Sequence, residues 1–298
     1  MIVTSDQIRK TAKDIKELRP AYKTLLDFYE QIFVAQEDSR SRIHIAPIQI
    51  PQDVLSVKLQ EKFPLIGTSE FVIDKEASEG LLREICAVTE AAENNMTNVA
   101  KVILNAIDTK KIDPGSLFSN LLEGNDSFFE DICTDIEIEK PVLSFITYSS
   151  ISPSVSLCAE QLSTYLESEK RNRVSSEAPV SSDWGKGYCP ICGSPPVMSA
   201  LEGDGERFLF CSFCWHKWPV RRLVCPFCEN DDSKTLHYFY TKEEKEYRVN
   251  VCDKCNKYVK TVDTRKIDRF FYPPLEQIAT LHLDMKANET GLERGVGK

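Results

Sequence analysis

Four Cys-x-x-Cys pairs crowd into 67 residues of this chain: Cys189/Cys192, Cys211/Cys214, Cys225/Cys228 and Cys252/Cys255. Two intervening residues let the backbone turn so that both sulfurs of a pair face one point. Two such turns complete a tetrahedron around an ion at metal–sulfur distances of about 2.3 Å. Eighteen residues separate Cys192 from Cys211, and 23 separate Cys228 from Cys252, lengths that suit a strand–turn–strand returning one turn beside another. Only ten separate Cys214 from Cys225, which suits a connector. The spacing therefore predicts two four-cysteine metal sites, the first turn with the second and the third with the fourth; pairing the first with the third is the alternative. Pro190 and Pro226 follow the first cysteine of their pairs, where a fixed φ shapes the turn. Gly193 and Asn256 follow the second cysteine, where a left-handed backbone is often needed; Trp215 and Glu229 suit that place less well.

Two roles are open for such sites. A stretch of about 75 residues split into two modules has little core of its own, so ions binding with about 10–16 kcal/mol each would supply most of its folding energy. The metal or its thiolates could equally act chemically. Thioredoxin-like dithiol exchange, the competing use of Cys-x-x-Cys, wants one pair opening a helix in a βαβ unit, and that setting is missing. The other chemistry-bearing residues are isolated. Cys86, Cys133 and Cys158 sit singly on apolar helical stretches and read as buried small hydrophobes. His216, two residues after Cys214, reads as a neighbour of a sulfur or as surface rather than as a ligand. His44, His237 and His282 have no partner in sequence, and there is no phosphate-binding loop, dinucleotide fingerprint or nucleophile elbow. No catalytic residue is expected.

The elements that must position the cysteines read as an α+β multidomain chain. Residues 1–169 form an all-α domain: Thr4 and Gln7 make a capping box, and Leu25, Leu26, Tyr29, Ile32 and Phe33, then Leu81, Leu82, Ile85 and Val88, recur at helical spacing. Pro114 and Pro153 read as helix starts. Residues 43–72, with Pro47, Pro51 and Pro64, read as an extended segment packed on the helices or as a partner-binding loop. Residues 170–183 are a polar, serine-rich linker. Two tandem rubredoxin- or zinc-ribbon-like β modules follow at 184–222 and 223–263, then a C-terminal helix and tail at 264–298.

The 298 residues carry a net charge of −9, unevenly spread: residues 1–188 hold 20 basic against 30 acidic side chains, and residues 189–263 hold 11 of each. That balance counts against the nucleic-acid binding that zinc ribbons often perform, and a divalent ion with four thiolates is itself anionic. The N-terminus lacks signal-peptide order and no window reaches about 18 consecutive apolar residues, so a cytoplasmic protein without membrane insertion is expected. There thiols stay reduced, which favours metal over disulfide.

The segments Trp184-Gly-Lys-Gly-Tyr-Cys-Pro-Ile-Cys-Gly, Arg207-Phe-Leu-Phe-Cys-Ser-Phe-Cys, Arg222-Leu-Val-Cys-Pro-Phe-Cys and Val251-Cys-Asp-Lys-Cys-Asn-Lys-Tyr resemble the formate dehydrogenase accessory protein (FdhE) family. One departure stands out: Trp215 follows Cys214 where that family often has glycine. The resemblance implies a maturation factor, not an enzyme, that binds the formate dehydrogenase catalytic subunit in the bacterial cytoplasm before export. It also implies eight cysteines holding two metal ions in rubredoxin-like sites, iron by family habit or zinc by ligand chemistry, with a redox service to the client conceivable. A homodimer is the self-association it would allow.

Overall fold

The computed structural model describes residues 3–92, 96–174, 184–241 and 244–296. They divide into two compact units, one of residues 1–48 and 67–158, the other of residues 49–66 and 159–298.

The first unit is all helix. It holds α1 (Ser5–Leu18) and α2 (Lys23–Ser39), and, beyond a helix of the other unit, α3 (Gln52–Gln60), it continues with α4 (Lys75–Ala91), α5 (Thr97–Asp108), α6 (Pro114–Glu123) and α7 (Asp126–Ile136). The first part of α8 (Lys140–Val174) completes it. The capping box is present: Thr4 accepts from the Gln7 amide while the Gln7 side chain accepts from the Thr4 amide. Ile8, Ile15, Leu26, Ile32, Leu81, Leu82 and Ile85 are buried, as their 3.6-residue spacing requires. Cys86, Cys133 and Cys158 are buried too, and burial pushes the thiols of Cys86 and Cys158 up to about 12 and about 11, which leaves them inert.

Pro153 departs from expectation. It lies inside α8 rather than at a helix start, so the two short helices read on either side of it are one. Proline removes the amide that would bond the carbonyl of Ser149, four residues back. Gln36 replaces that donor, its Nε2 reaching Ser149 O at 2.7 Å from α2. By length and composition α8 could cross a membrane, but 67% of the apolar window is buried inside the protein, the behaviour of a core helix. Its buried Thr147 and Ser150 return their hydroxyls to the carbonyls of Leu143 and Ile146.

The second unit is built on one sheet. Strands β1 (Pro196–Glu202), β2 (Glu206–Cys211), β3 (Lys217–Val220), β4 (Leu236–Phe239), β5 (Tyr247–Cys252), β6 (Lys257–Asp263) and β7 (Glu293–Arg294) are ordered β3-β2-β1-β6-β5-β4, with β7 also on β6. The all-α region followed by two β modules and C-terminal helices is the α+β class expected, but the modules are not separate. Ser199, Ala200 and Leu201 pair in parallel with Thr261, Val262 and Asp263, which fuses the two antiparallel meanders. One face buries Met198, Ala200, Phe210, Val249, Val251, Tyr258 and Val262 with Leu283 and Ala287 of α10 (Leu281–Glu289), which follows α9 (Pro273–Ala279).

Those two helices carry charges into the core. Glu276, fully buried, accepts from Arg269 Nη2 at 2.8 Å and from the Tyr247 hydroxyl at 2.6 Å. Lys260 Nζ reaches Asp284 at 2.6 Å, and the Tyr258 hydroxyl donates to the same carboxylate at 2.9 Å. Burial lowers Lys260 to about 8, with Asp284 opposing the shift.

The 43–72 segment also departs from expectation. Its middle, residues 49–66, contains α3 and belongs with the sheet unit, not with the helices. The expected 170–183 linker begins inside α8, and residues 175–183 lie outside the described residues.

Two outcomes test this packing. Gln36→Ala should lower stability to chemical denaturation by about 1–3 kcal/mol, the cost of leaving a buried carbonyl unpaired; an unchanged midpoint and slope would show that water replaces the amide. Glu276→Gln leaves the Arg269 guanidinium, 8% exposed, without its counter-charge. Loss of about 3–5 kcal/mol from the unfolding transition of the sheet unit is expected, read by the near-ultraviolet signal of its tryptophans.

Candidate metal centre

Each cysteine pair sits in the same local turn. The Cys189 amide donates to Ser194 O, that of Cys211 to His216 O and that of Cys225 to Asn230 O, at 2.8–3.0 Å. Such a turn closes only if the residue after the second cysteine is left-handed. All four are: Gly193 at φ +75°, Trp215 at +58°, Glu229 at +57° and Asn256 at +56°. Trp215 and Glu229 thus adopt the conformation their side chains disfavour, at a cost of about 1–2 kcal/mol each. In return the turns aim amides at sulfur. Ile191 N lies 3.4 Å from Cys189 Sγ, and Phe213 N and Cys214 N lie 3.3 and 3.4 Å from Cys211 Sγ. The Trp215 departure therefore leaves the turn and its donors in place.

The sulfurs gather into two quartets, Cys189, Cys192, Cys211 and Cys214, and Cys225, Cys228, Cys252 and Cys255, each with all four sulfurs within 4.8 Å of one another. The grouping is sequential, not interleaved. Neighbouring sulfurs stand 3.5–3.7 Å apart in the first quartet and 3.6–3.7 Å in the second. A disulfide needs about 2.05 Å, whereas the edge of a tetrahedron with 2.3 Å metal–sulfur bonds is about 3.8 Å. The donor set therefore fits a tetrahedral thiophilic ion, and each quartet could hold one.

The charge environment agrees. Three thiol neighbours, Cys189, Cys211 and Cys214, lower the pKa of Cys192, while burial drives Cys189 and Cys214 well above the ordinary thiol range. Bringing four buried thiolates together thus needs positive charge among them. In the second quartet burial also opposes ionisation of Cys252. The Cys255 amide, the Asn230 carboxamide at 3.4 Å and the Lys254 amide outweigh it and bring that thiol down to about 7.

The two quartets differ in access. All four cysteines of the first are buried; Cys228 and Cys255 of the second are only partly so. Residues 49–66 form a strap over the leading turn of the first quartet. Leu65 N and Ile66 N donate to Pro190 O and Ile191 O, both at 2.9 Å, across the turn between Cys189 and Cys192. Tyr188 returns a bond from its hydroxyl to Lys62 O at 2.7 Å. Gly193 is needed twice here, for its φ and because a Cβ would stand 2.9 Å from Pro64 Cγ. The two quartets also brace each other. A Cβ on Gly187 would sit 1.6 Å from Pro226 O, and Lys186 pairs with Glu229 at 2.8 Å.

The isolated histidines stay outside both quartets. His216 stacks on Trp218, His44 Nδ1 lies 2.9 Å from Arg42 O, His237 pairs with Asp253 and His282 with Glu244. Asn230 and Ser194 are side-chain neighbours of sulfur that the spacing argument did not supply, at 3.4 Å from Cys252 Sγ and Cys192 Sγ; the signal in each case is a polar residue two after the second cysteine of a pair.

Residues 188–222 match the family described as FdhE, central domain, and residues 223–297 the family described as FdhE, C-terminal domain. Residues 188–297 therefore carry FdhE-type central and C-terminal domains. Similarity to curated FdhE proteins covers 36% of this chain. The protein FdhE homolog of Aquifex aeolicus is 41% identical over 112 residues, 36% of this chain and 39% of that protein. Protein FdhE of Escherichia coli is 34% identical over 111 residues, 36% of this chain and 35% of that protein. The chain thus matches little more than a third of the length of these relatives. The crystal structure of the FdhE protein from Pseudomonas aeruginosa is similar over 100% of this chain and 96% of that one, with a TM-score of 0.66 and 19% identity, which establishes a common fold.

The access difference predicts stepwise metal loss. A competing chelator should remove one ion per chain quickly and the other slowly, and Cys228→Ser should bind one ion and lack the fast phase. Release of both ions at one rate, followed with a chromophoric chelator, would refute the difference in access.

Proposed function

We propose that this chain is a metal-binding maturation factor for a formate dehydrogenase, acting in the cytoplasm on the enzyme's catalytic subunit and running no turnover reaction of its own. In this reading Cys189, Cys192, Cys211 and Cys214 hold one ion and Cys225, Cys228, Cys252 and Cys255 the other. The observation that carries it is the pair of complete sulfur quartets inside FdhE-type domains, joined to the client that the family resemblance implies. Every paired sulfur is gathered with three others, which suits shared coordination of an ion better than the single reactive dithiol of an exchange enzyme.

Iron in such a site would supply one-electron chemistry, whereas zinc would supply structure alone. The chain's own part is to present the client with a surface of fixed shape. Val54 and Val57, one turn apart on α3, and Phe63 beyond it are exposed apolar residues of the strap, residues 49–66. Apolar side chains clustered at 40–57% exposure suit a transient protein contact.

Tagged full-length protein should co-purify with the formate dehydrogenase catalytic subunit from anaerobic cells, and its deletion should abolish that enzyme's activity. Val57→Asp with Phe63→Ser should reduce capture at least tenfold while two ions per chain are retained. Full formate dehydrogenase activity in the deletion strain would contradict the proposal. Unaltered capture by the double variant would move the contact off the strap.

A further inference from the structure

The sheet face turned away from α10 carries a polar strip among apolar residues such as Leu201 and Leu209. Ser199 and Thr261 hydroxyls meet at 2.6 Å, and Thr261 donates to Asn250 Oδ1 at 2.6 Å. Register places Arg207, Leu201 and Asp263 in one row across β2, β1 and β6 on this face. The connector between the quartets adjoins it, leaving a cleft of about 540 Å³, part of it open to solvent, beside Cys225 and Cys252.

Three arginines gather there. Arg207 is 4% exposed; its Nη1 donates to Val224 O at 2.9 Å and to Arg222 O at 3.4 Å, while its Nε and Nη2 are buried without a partner. Arg222 lines the same cleft at its exposed rim. Arg248 lies over the ring of Tyr238, a lining residue, at 5.0 Å, and its Nε is likewise buried and unpartnered. Among the described residues none of the three forms an ion pair. Asp263, the carboxylate on this face, is engaged by Arg265 at 2.7 and 2.8 Å and by Lys266 at 3.5 Å.

A buried guanidinium with two unused donors and like-charged neighbours is costly unless an anion completes it. Burial and the charge of Arg248 both weaken the proton affinity of Arg207, with Cys225 opposing. The thiolates of the second quartet compensate part of this charge, but they leave the unused guanidinium edges unbonded. We propose that the cleft binds an oxyanion, a carboxylate or phosphate group on a ligand with an apolar portion, held by Arg207, Arg222 and Arg248. Leu223, Phe227 and Tyr238 supply the apolar wall. A planar fork facing an oxyanion gives paired, charge-assisted bonds. This inference concerns a site separate from the strap and stands whether or not the chain matures a formate dehydrogenase.

The test uses the full chain loaded with zinc and titrated with inorganic phosphate and with acetate at constant ionic strength, following arginine Nε–H resonances. Saturable shifts of the Arg207 and Arg248 signals are expected with at least one anion. Arg222→Gln should weaken the apparent affinity at least tenfold with both zinc ions retained. Arg221→Gln, whose wild-type side chain instead pairs with Asp231 at 3.5 Å, should leave it unchanged. Absence of saturable shifts, equal affinity in Arg222→Gln, or loss of binding only together with loss of the second zinc would overturn the proposal. The last result would make the arginines counter-charges to the thiolates.

Discussion

Four sulfurs within 4.8 Å of one another are an electrostatic problem before they are a ligand set, and the second unit is organised around solving it twice. Burial opposes ionisation, yet a soft cation is attracted only to thiolate. The backbone resolves the conflict locally by aiming amides at sulfur, and this requires the left-handed residue after each pair. That two of these positions are tryptophan and glutamate shows how strongly the turn is imposed: the geometry is kept although the residue resists it.

The rest of the unit holds the four turns in register. Parallel pairing of β1 with β6 makes one sheet of two meanders, so the quartets are fixed to a common platform. The C-terminal helices lock that platform from one side through apolar packing and two buried ion pairs. Such pairs add little net stability but penalise any packing that would separate the charges, so they select one docking of α9 and α10. On the opposite side the arginines and the hydroxyl ladder set a polar strip into the sheet.

Reading the sequence located the turns because their chemistry is local: cysteine spacing, proline within the pair and glycine after it are all set within six residues. Helical faces in the first unit were legible for the same reason. What escaped was non-local. Nothing in Ser199–Leu201 announces a parallel partner 62 residues later. Pro153 reads as a helix start because its rescue by Gln36 comes from more than a hundred residues away. Glu276 and Asp284 look like ordinary solvent-facing charges on short helices until Arg269 and Lys260 arrive beside them. The prolines of residues 43–72 suggested an extended segment, yet α3 follows Pro51 directly, and nothing announced that this stretch would leave its sequence neighbours to sit on a cysteine turn.

That departure bears on how the protein can be divided by evolution. The first cysteine turn is completed by residues encoded well before it, with Pro64 set against Gly193 and two main-chain bonds across Pro190 and Ile191. The ribbon region is therefore not a transferable cassette. A recombination joint placed between the helices and residue 184 would separate two surfaces shaped to each other, so lineages that exchange one must inherit, or rebuild, the other.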